Sequence, residues 1–546
     1  MIQVITTQDR KAVVSEFFEL FKTPWRFFEG GHGTVLIVDG EDEHPSSCPL
    51  TISFWNRRCT SPKLPSDARA INVVGSVRVG ARRIPLYNEY TTFPSAPNVL
   101  ALEETSSQPI AWVRRTGDCT VVYFGFDLFA EVKTLLTDGQ PVKCALSPTL
   151  DLHIQLIRDT IRSGGIGFTE IPPVPFGGKY LLCLTHDIDN PSMVAHGFDR
   201  TWLGFVQRAL VDSTFAALLG KLSFRKLAEN YLSALNWPFA FFGLAKDRWL
   251  DFAKYLEIDG IESTYFVVSI KGVSGSSLDR RGTAPSIRRV AYTLNDIHAP
   301  LGLLKSAGCE IALHGVNAWV DRDSALFEQE QAKLPRYHGE RGVRMHWLYF
   351  SNDSHKVLES SGFTYDSTAG FNATVGYKNG TSQVFRPIAS DRLLELPLLV
   401  MDTALFLRSN LDVGEKQAEE LIASIIDRTC EAGGALVVNW HDRSLFAERH
   451  WDHTYIRLVA TARDRGGVPL SAAKTVAWFR GRRSIEFLTP VSMGESTCRS
   501  VFPPTEDTDL PSFTLRQYAA GSGLFQSPPS LGSPANYTDV ELKWND

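Results

Sequence analysis

Side chains that can bind a metal or transfer a proton follow a series of short apolar runs in the middle of this sequence. Carboxylates, imidazoles and a guanidinium all occur there, each at or near the end of a run. The ends of parallel strands meet at one edge of a sheet. Several such groups, each at the end of a run, are therefore stronger evidence for a functional site than any one of them. In chain order they are Asp187, Asp189, His314, Arg344, His346 and His441.

The two aspartates form an Asp-x-Asp pair directly after the apolar run at residues 180–185. Two carboxylates this close repel each other, so one must be protonated or a cation must lie between them. A divalent metal resolves the repulsion, because one aspartate can bind the ion while the other acts as a general base toward water. The alternative is a solvated turn at the end of a strand, since Asp-x-Asp alone is a common pattern.

Two histidines, like the aspartate pair, lie at the end of an apolar run. His314 follows the run EIAL and precedes a glycine, and His441 ends the run VVNW. A histidine at the end of a strand is often only a hydrogen-bonded structural residue. His441 could instead protonate a departing amine, because the ordinary pKa of an imidazole lies near neutrality.

The runs that position these groups are typical of strands in a parallel sheet. They are apolar, and most are separated by a helical stretch or by a loop long enough for a crossover. Seven strands fit a β/α barrel slightly smaller than the eight-stranded one. The predicted strands are residues 180–185, 263–268, 310–314, 343–348, 364–368, 393–398 and 435–441.

Six motifs in this order resemble the polysaccharide deacetylases, carbohydrate esterase family 4. They are THDID, LHGVNAW, GVRMHWLYF, YDSTAGFN, LELPL and NWHDRS. More narrowly, they resemble a divergent branch that is often encoded with bacterial surface-polysaccharide biosynthesis. The resemblance covers roughly residues 180–480 and implies a distorted seven-stranded β/α barrel, in agreement with the strand count above.

The resemblance also implies roles for individual residues. Asp187 would be the general base, paired with Arg344, which keeps it ionised. Asp189 and His314 would bind a divalent metal, most often Zn²⁺, and His441 would protonate the departing amine.

One departure from the family pattern concerns the metal. The family's second motif is usually His-x-x-x-His, but the position of the second histidine holds Ala318 here. We expect His346 to be the replacement ligand, because it lies in the next predicted strand. His186 and Asn317 are the next candidates.

Two tryptophans beside the motifs are candidates for contact with a sugar ring. Trp319 follows the His314 motif, and Trp347 follows His346 directly. Packing within the barrel is the alternative for each of them.

The chain is long enough for more than one domain. We expect an α/β domain of unknown role at residues 1–175, a deacetylase-like barrel at 179–482 and a β-rich segment at 483–546. Residues 17–28 have the periodicity of a helix. A helical insertion is expected at about 200–256, with its apolar residues packed on the barrel rather than exposed as a membrane-binding face.

The composition and charge of the chain exclude some classes of partner and location. The formal net charge of −5 argues against a general nucleic-acid binder. No stretch approaches the ~20 apolar residues of a membrane span. The N-terminal residues do not have the pattern of a signal peptide, and none of the eight cysteines forms a C-x-x-C pair. We therefore expect reduced thiols and a cytoplasmic location, with no prediction of oligomeric state.

Together these observations predict a hydrolase that uses a divalent metal to remove an N-acetyl or other N-acyl group from a sugar or glycan precursor. Two alternatives stay open. One is a hydrolase of cyclic amides or imides built on the same barrel, and the other is a carbohydrate-binding relative without catalysis.

Overall fold

The structure is a computed structural model of the chain. It describes residues 1–31, 33–40, 48–55, 67–72, 74–220, 222–260, 262–272, 290–316, 339–351, 353–487, 498–500, 509–520 and 537–544. The chain divides into two compact units. The first comprises Met1–Gly177, Tyr377–Ile388 and Trp478–Asp546, and the second comprises Gly178–Gly376 and Ala389–Ala477.

The first unit contains a mixed sheet, nine-stranded among the described residues. Its strand order is β2-β1-β3-β4-β11-β10-β9-β6-β7. Strands β1 to β4 and β11 pair in parallel, and the remaining pairings are antiparallel. Strands β5 and β8 form a separate pair. The bounds are β1 Ile2–Ile5, β2 Trp25–Phe27, β3 Val35–Asp39, β4 Leu50–Phe54, β5 Arg69–Ile71, β6 Gly75–Val79, β7 Arg82–Leu86, β8 Tyr90–Thr92, β9 Val99–Glu103, β10 Pro109–Thr116, β11 Cys119–Phe124 and β12 Phe168–Glu170.

Three α-helices of the first unit bury apolar faces in the same core as this sheet. They are Lys11–Phe21, Leu128–Thr137 and Thr149–Ser163, with 3-10 turns at Gln8–Arg10 and Val142–Cys144. The helix predicted over residues 17–28 is wrong beyond Phe21. Lys22 adopts a left-handed conformation with φ of 37°, and Pro24 follows it, so the chain leaves the helix and forms β2 instead.

The second unit is built around an all-parallel sheet with the order β18-β17-β16-β15-β14-β13-β20-β19, and β21 pairs with β13. This curled sheet is compatible with a barrel. Helices lie between most of its strands along the chain, although none is described between β17 and β18 or between β18 and β19. The bounds are β13 Tyr180–Ile188, β14 Thr264–Val267, β15 Glu310–Gly315, β16 Gly342–Met345, β17 Tyr365–Asp366, β18 Leu394–Glu395, β19 Val400–Met401, β20 Ala435–Asn439 and β21 Gly467–Pro469.

Each of the seven predicted strands corresponds to a strand of this sheet. The count of seven is too low, however, because the described residues contribute nine strands. The two additional strands are Val400–Met401 and Gly467–Pro469. They are two and three residues long, and neither lies within a predicted strand.

Helices follow most strands of the second unit. They are Arg200–Val206, Ser213–Leu218, Phe224–Phe241, Ala253–Asp259, His298–Ser306, Ser354–Ser360, Asp402–Phe406, Glu415–Ala432, Asp452–Asp464 and Ala472–Ser484, with a π-helical segment at Gln207–Asp212 and 3-10 turns at Val194–His196 and His346–Leu348. Among the described helices, none has the length and apolar character needed to cross a membrane.

The C-terminal strands belong to the first unit. They are β22 Ile485–Phe487, β23 Cys498–Ser500, β24 Phe513–Tyr518 and β25 Tyr537–Leu542. Strand β24 pairs antiparallel with both β25 and β12. Among the described residues of the C-terminal segment, β24 and β25 thus form one sheet with β12, which precedes the second unit.

Candidate active site

The ends of neighbouring strands bring the predicted site residues together within the second unit. Strand β13 lies between β14 and β20, and β15 lies between β14 and β16. Because all these strands are parallel, their C-terminal ends lie along one edge of the sheet. Asp187 is in β13, His314 in β15 and Arg344 in β16.

Three potential metal-binding atoms converge at this edge. Asp189 Oδ1 lies 3.3 Å from His314 Nε2 and 3.1 Å from His346 Nδ1. The two imidazole nitrogens lie 2.9 Å apart. Ligand atoms held about 2.1 Å from a tetrahedral zinc ion lie roughly 3.4 Å from one another. The three separations here are therefore close to those between ligand atoms that bind the same ion.

The hydrogen bonds of these groups also fit a metal. His314 Nδ1 donates to the backbone oxygen of Arg344 at 2.9 Å, so the lone pair of the neutral imidazole is on Nε2, the atom that faces Asp189. Asp189 Oδ1 is buried and finds no hydrogen-bond partner within the described part of the chain. One carboxylate and two imidazoles that face each other in this way form a donor set suited to a divalent ion such as zinc.

The structure distinguishes among the three candidates for the third ligand. His346 joins Asp189 and His314, as described above. Both ring nitrogens of His186 are engaged elsewhere, with the backbone oxygen of Trp440 at 2.8 Å and with Asp259 Oδ2 at 2.9 Å. Asn317, the remaining candidate, lies outside the described residues.

Asp187 lies beside this group, and its side chain is buried with a hydrogen bond to each carboxylate oxygen. Arg344 Nη1 donates to its Oδ1 at 3.0 Å, and Asn439 Nδ2 donates to its Oδ2 at 2.7 Å. Burial alone would raise the pKa of Asp187, but the charge of Arg344, then those of His314 and His441, outweigh burial and hold the pKa below its ordinary value. The aspartate is therefore a carboxylate, and His314 Nε2 lies 3.9 Å from its Oδ2.

Arg344 is itself held in place by several contacts. Its guanidinium is fully buried, donates to Thr185 Oγ1 at 2.7 Å and to both the backbone oxygen and the hydroxyl of Ser367, and lies over the ring of Phe266. A cation with this many partners keeps a fixed position. It can therefore hold Asp187 ionised in one orientation.

His441 approaches the same group from the end of β20. Its Nε2 lies 3.8 Å from Asp189 Oδ2, and its Nδ1 bonds to Asp402 Oδ1 at 2.6 Å. Burial lowers the pKa of His441, but the charge and hydrogen bond of Asp402 and the charges of Asp189 and Asp187 raise it to about 9. An imidazolium at this position is suited to donate a proton.

Asn439 was not among the predicted site residues, although it makes two hydrogen bonds to Asp187, accepting one from the Asp187 backbone N–H at 3.1 Å. Its position was a usable signal, because Asn439 is the last residue of β20 and the candidates were sought at the ends of strands. Asp402 was not among the predicted site residues either, and it is bonded to His441 as described above.

The two tryptophans predicted to contact sugar have different outcomes. Trp319 lies outside the described residues. Trp347 is 40% exposed, and its indole ring lies 5.5 Å from the ring of His346. Both Trp347 and Leu348 have positive φ, of 62° and 51°. Left-handed backbone at two consecutive non-glycine residues is energetically costly and is characteristic of functional sites.

A second buried group of potential ligands consists of His355, Asp366 and Glu395. His355 Nε2 lies 3.1 Å from Glu395 Oε2. Burial raises the pKa of Glu395 to about 8 and lowers the pKa of His355 to about 4, so Glu395 is a protonated carboxyl at neutral pH and His355 is neutral. A neutral Glu395 carboxyl can donate to the imidazole of His355, so this one contact forms without an ion.

Comparison with protein-family models finds no match for this sequence, and comparison with curated proteins finds none either. Among solved structures, Agd3, a carbohydrate deacetylase, is similar over 95% of this chain and 91% of its own, at 10% identity and a TM-score of 0.33. A probable polysaccharide deacetylase from Pseudomonas aeruginosa PAO1 is similar over 57% of this chain and 94% of its own, at 14% identity and a TM-score of 0.34. PuuE allantoinase is similar over 56% of this chain and 92% of its own, at 14% identity and a TM-score of 0.35.

Proposed function

We propose that this chain is a metal-dependent hydrolase that removes an N-acetyl or related N-acyl group from a sugar or glycan precursor. One arrangement carries the proposal. The group formed by Asp189, His314 and His346 borders a buried, ionised Asp187 on one side and a protonated His441 on the other. Amide hydrolysis needs these three functions together: an electrophile, a base for water and an acid for the departing amine.

Asp187 is the base in this proposal. Its carboxylate is kept ionised by Arg344 and oriented by Asn439, so it can accept a proton from an attacking water. A divalent ion held by Asp189, His314 and His346 would polarise the amide carbonyl and make water easier to deprotonate.

His441 is the acid. Its Nδ1 is bonded to Asp402, so the proton available to substrate lies on Nε2, which points toward Asp189 Oδ2. Protonation of the departing nitrogen by this atom lets the C–N bond break with an amine, rather than an amide anion, as the leaving group.

Trp347 provides the surface that favours a sugar as the substrate. Its indole ring is partly exposed directly beside His346, and its backbone oxygen is held by the Asn372 side chain at 2.8 Å. An apolar face with an adjacent polar edge is the usual partner of a sugar ring, whose C–H face stacks on aromatic side chains.

The experiment is an assay of acetate release from N-acetylated amino sugars, oligosaccharides and nucleotide-linked sugars, using the full chain stripped of metal and then reloaded with zinc. We expect release only after reloading. Asp187→Asn should lower the rate by about 10² to 10⁴-fold, the range typical of a lost general base. Asp353→Asn, on the same unit but outside the site, is the matched control and should leave the rate unchanged.

Two outcomes would contradict the proposal. Ring opening of cyclic amides without acetate release would assign the site to a cyclic-amide hydrolase. Sugar binding without any product, unaltered by Asp187→Asn, would assign it to a carbohydrate-binding protein.

A further inference from the structure

Large apolar side chains are exposed at high density on the helices that follow β13. We call residues 198–220 and 222–244 the apolar hairpin; it contains helices Arg200–Val206, Ser213–Leu218 and Phe224–Phe241 and the π-helical segment between the first two. More than half of the large apolar side chains that are exposed among the described residues belong to it. Exposed apolar surface of this extent marks an interaction site in a protein.

The helix Phe224–Phe241 shows this most clearly, because its outward face is the apolar one. Phe224, Leu235, Phe239 and the following Phe242 are 79%, 65%, 57% and 74% exposed. Their spacing of three, four or eleven residues places them on one stripe of the helix. Tyr231, 40% exposed, lies on the same stripe.

The inward face of the same helix is more polar. Its buried residues are Asn230, Ser233, Trp237 and Ala240. Asn230 Oδ1 accepts a hydrogen bond from the backbone N–H of Glu448 at 2.7 Å. A helix on the surface of a protein in water has the opposite arrangement, so the outward stripe is suited to an apolar environment.

The other limb of the hairpin adds to the same surface. Phe215, Leu218 and Leu219 are 63%, 76% and 70% exposed. The two limbs are joined by a hydrogen bond of 2.9 Å between the hydroxyls of Thr214 and Tyr231. The exposed residues of the two helices therefore belong to one connected surface.

The charge of this region indicates what covers the surface. Residues 198–248 contain seven basic and four acidic residues, although the whole chain has a formal net charge of −5. Arg200, Arg225, Lys246 and Arg248 are exposed. Basic side chains around an exposed apolar helix are typical of helices that lie on anionic lipid.

We propose that the apolar hairpin docks the protein on an anionic lipid bilayer, with its phenylalanines and leucines inserted at the boundary between head groups and acyl chains. A second copy of this chain is the less favoured occupant. In a dimer with a twofold axis, the hairpin of one copy would pack against the hairpin of the other. The basic residues of the two copies would then face and repel each other.

The test is co-sedimentation of the full chain with vesicles of phosphatidylcholine, with and without phosphatidylglycerol. We expect binding to anionic vesicles at least about tenfold tighter than to neutral ones, from roughly 1 kcal/mol for each basic residue near the surface. Leu235→Ser combined with Phe239→Ser should weaken that binding at least about tenfold, through the loss of two inserted apolar groups.

The matched control is Leu303→Ser combined with Ile456→Ser. These residues are 45% and 46% exposed on other helices of the same unit, and their replacement should leave vesicle binding unchanged. This readout does not involve catalysis, so it is independent of the proposed hydrolysis.

Three results would overturn the proposal. The first is a wild-type chain that does not sediment with anionic vesicles, and the second is equal binding to neutral and anionic vesicles. The third is a dimer in sedimentation velocity that Leu235→Ser with Phe239→Ser dissociates, without vesicle binding by the wild type. That last result would assign the hairpin to a second copy of the chain.

Discussion

The Nε2 atom of His314 lies 2.9 Å from Nδ1 of His346, which directly follows β16, the strand adjacent to that of His314. In the register of β15 and β16, His314 is paired with Arg344, two residues before His346. The end of β16 therefore places a guanidinium near Asp187 and an imidazole near Asp189. In the proposed metal site, the residue that follows a neighbouring strand would thus take the place of the second histidine, which the pattern of the resembled family puts at residue 318.

Arg344→Met should impair both stability and activity. The substitution leaves the buried Asp187 carboxylate without its cation, which typically costs about 3 to 5 kcal/mol, and it allows burial to raise the pKa of Asp187. We expect a lower thermal midpoint and a loss of acetate release. Arg344→Lys, which keeps the charge but not the several donors, should be intermediate in both measurements. Full activity in Arg344→Met would contradict the role of this pair.

Asp402→Asn should alter the pH dependence of the reaction. His441 must be protonated to act as an acid, and burial lowers its pKa while Asp402 raises it to about 9. Without the Asp402 charge, His441 loses its proton at lower pH, so the alkaline limb of the kcat profile should move to lower pH.

The matched control for this prediction is Ser444→Ala, which removes another hydrogen bond to Asp402 without removing its charge. It should leave the alkaline limb in place. An unchanged profile in Asp402→Asn, measured with saturating substrate, would exclude His441 as the acid.

Trp347→Ala should raise KM with little change in kcat. The indole ring is expected to stack on the sugar, and an aromatic contact of this kind is worth about 0.5 to 1.5 kcal/mol, which corresponds to a rise of roughly twofold to tenfold in KM. Steady-state kinetics with one N-acetylated oligosaccharide measures the effect. A fall in kcat with unchanged KM would indicate instead that Trp347 positions His346.

His153→Leu should stabilise the first unit, most strongly at mildly acidic pH. Both ring nitrogens of His153 are buried without a hydrogen-bond partner in the described residues, and burial lowers its pKa to about 3. The unfolded chain, with an ordinary histidine pKa near 6.5, binds more protons between pH 3 and 6.5, so this residue reduces stability as pH falls through that range.

Thermal denaturation at pH 5 and pH 8 tests this prediction. The gain of the leucine variant over the wild type should be larger at pH 5. His453→Leu, at a largely exposed histidine, is the control and should show no such difference. An equal or smaller gain at pH 5 would show that His153 has a partner in solution.

Most of the site could be predicted because local sequence carries its signal. Each of Asp187, His314 and His441 lies at the end of an apolar run long enough to be recognised as a strand. His346 was inferable from its place in the next run. Asn439 could have been named as a candidate from its place at the end of an apolar run, but its bond to Asp187 depends on the pairing of β20 with β13, which aligns Asn439 with Thr185 across a long separation in sequence.

The helical insertion shows that sequence patterns do not determine which face of a helix is buried. Its apolar residues were expected to pack on the barrel. Phe205, Ala209 and Trp237 are buried in one cluster with Met193 and Trp249, but Leu235 and Phe239 are exposed, so the expectation is wrong for part of the insertion. Helical periodicity reveals an apolar stripe, but not whether that stripe faces the protein or the surroundings. The orientation of Phe224–Phe241 is set instead by inward contacts such as that of Asn230 with Glu448.

The most direct test of the central claim is the zinc content of the purified full chain and of its Asp189→Ala and His346→Ala variants, measured by elemental analysis. His453→Ala is the control for a lost histidine. We predict close to one zinc per wild-type and control chain, and loss of the ion from both site variants. A wild-type chain that holds no metal and takes up none when zinc is added would contradict the proposed hydrolase, and zinc retained in His346→Ala would contradict His346 as the third ligand.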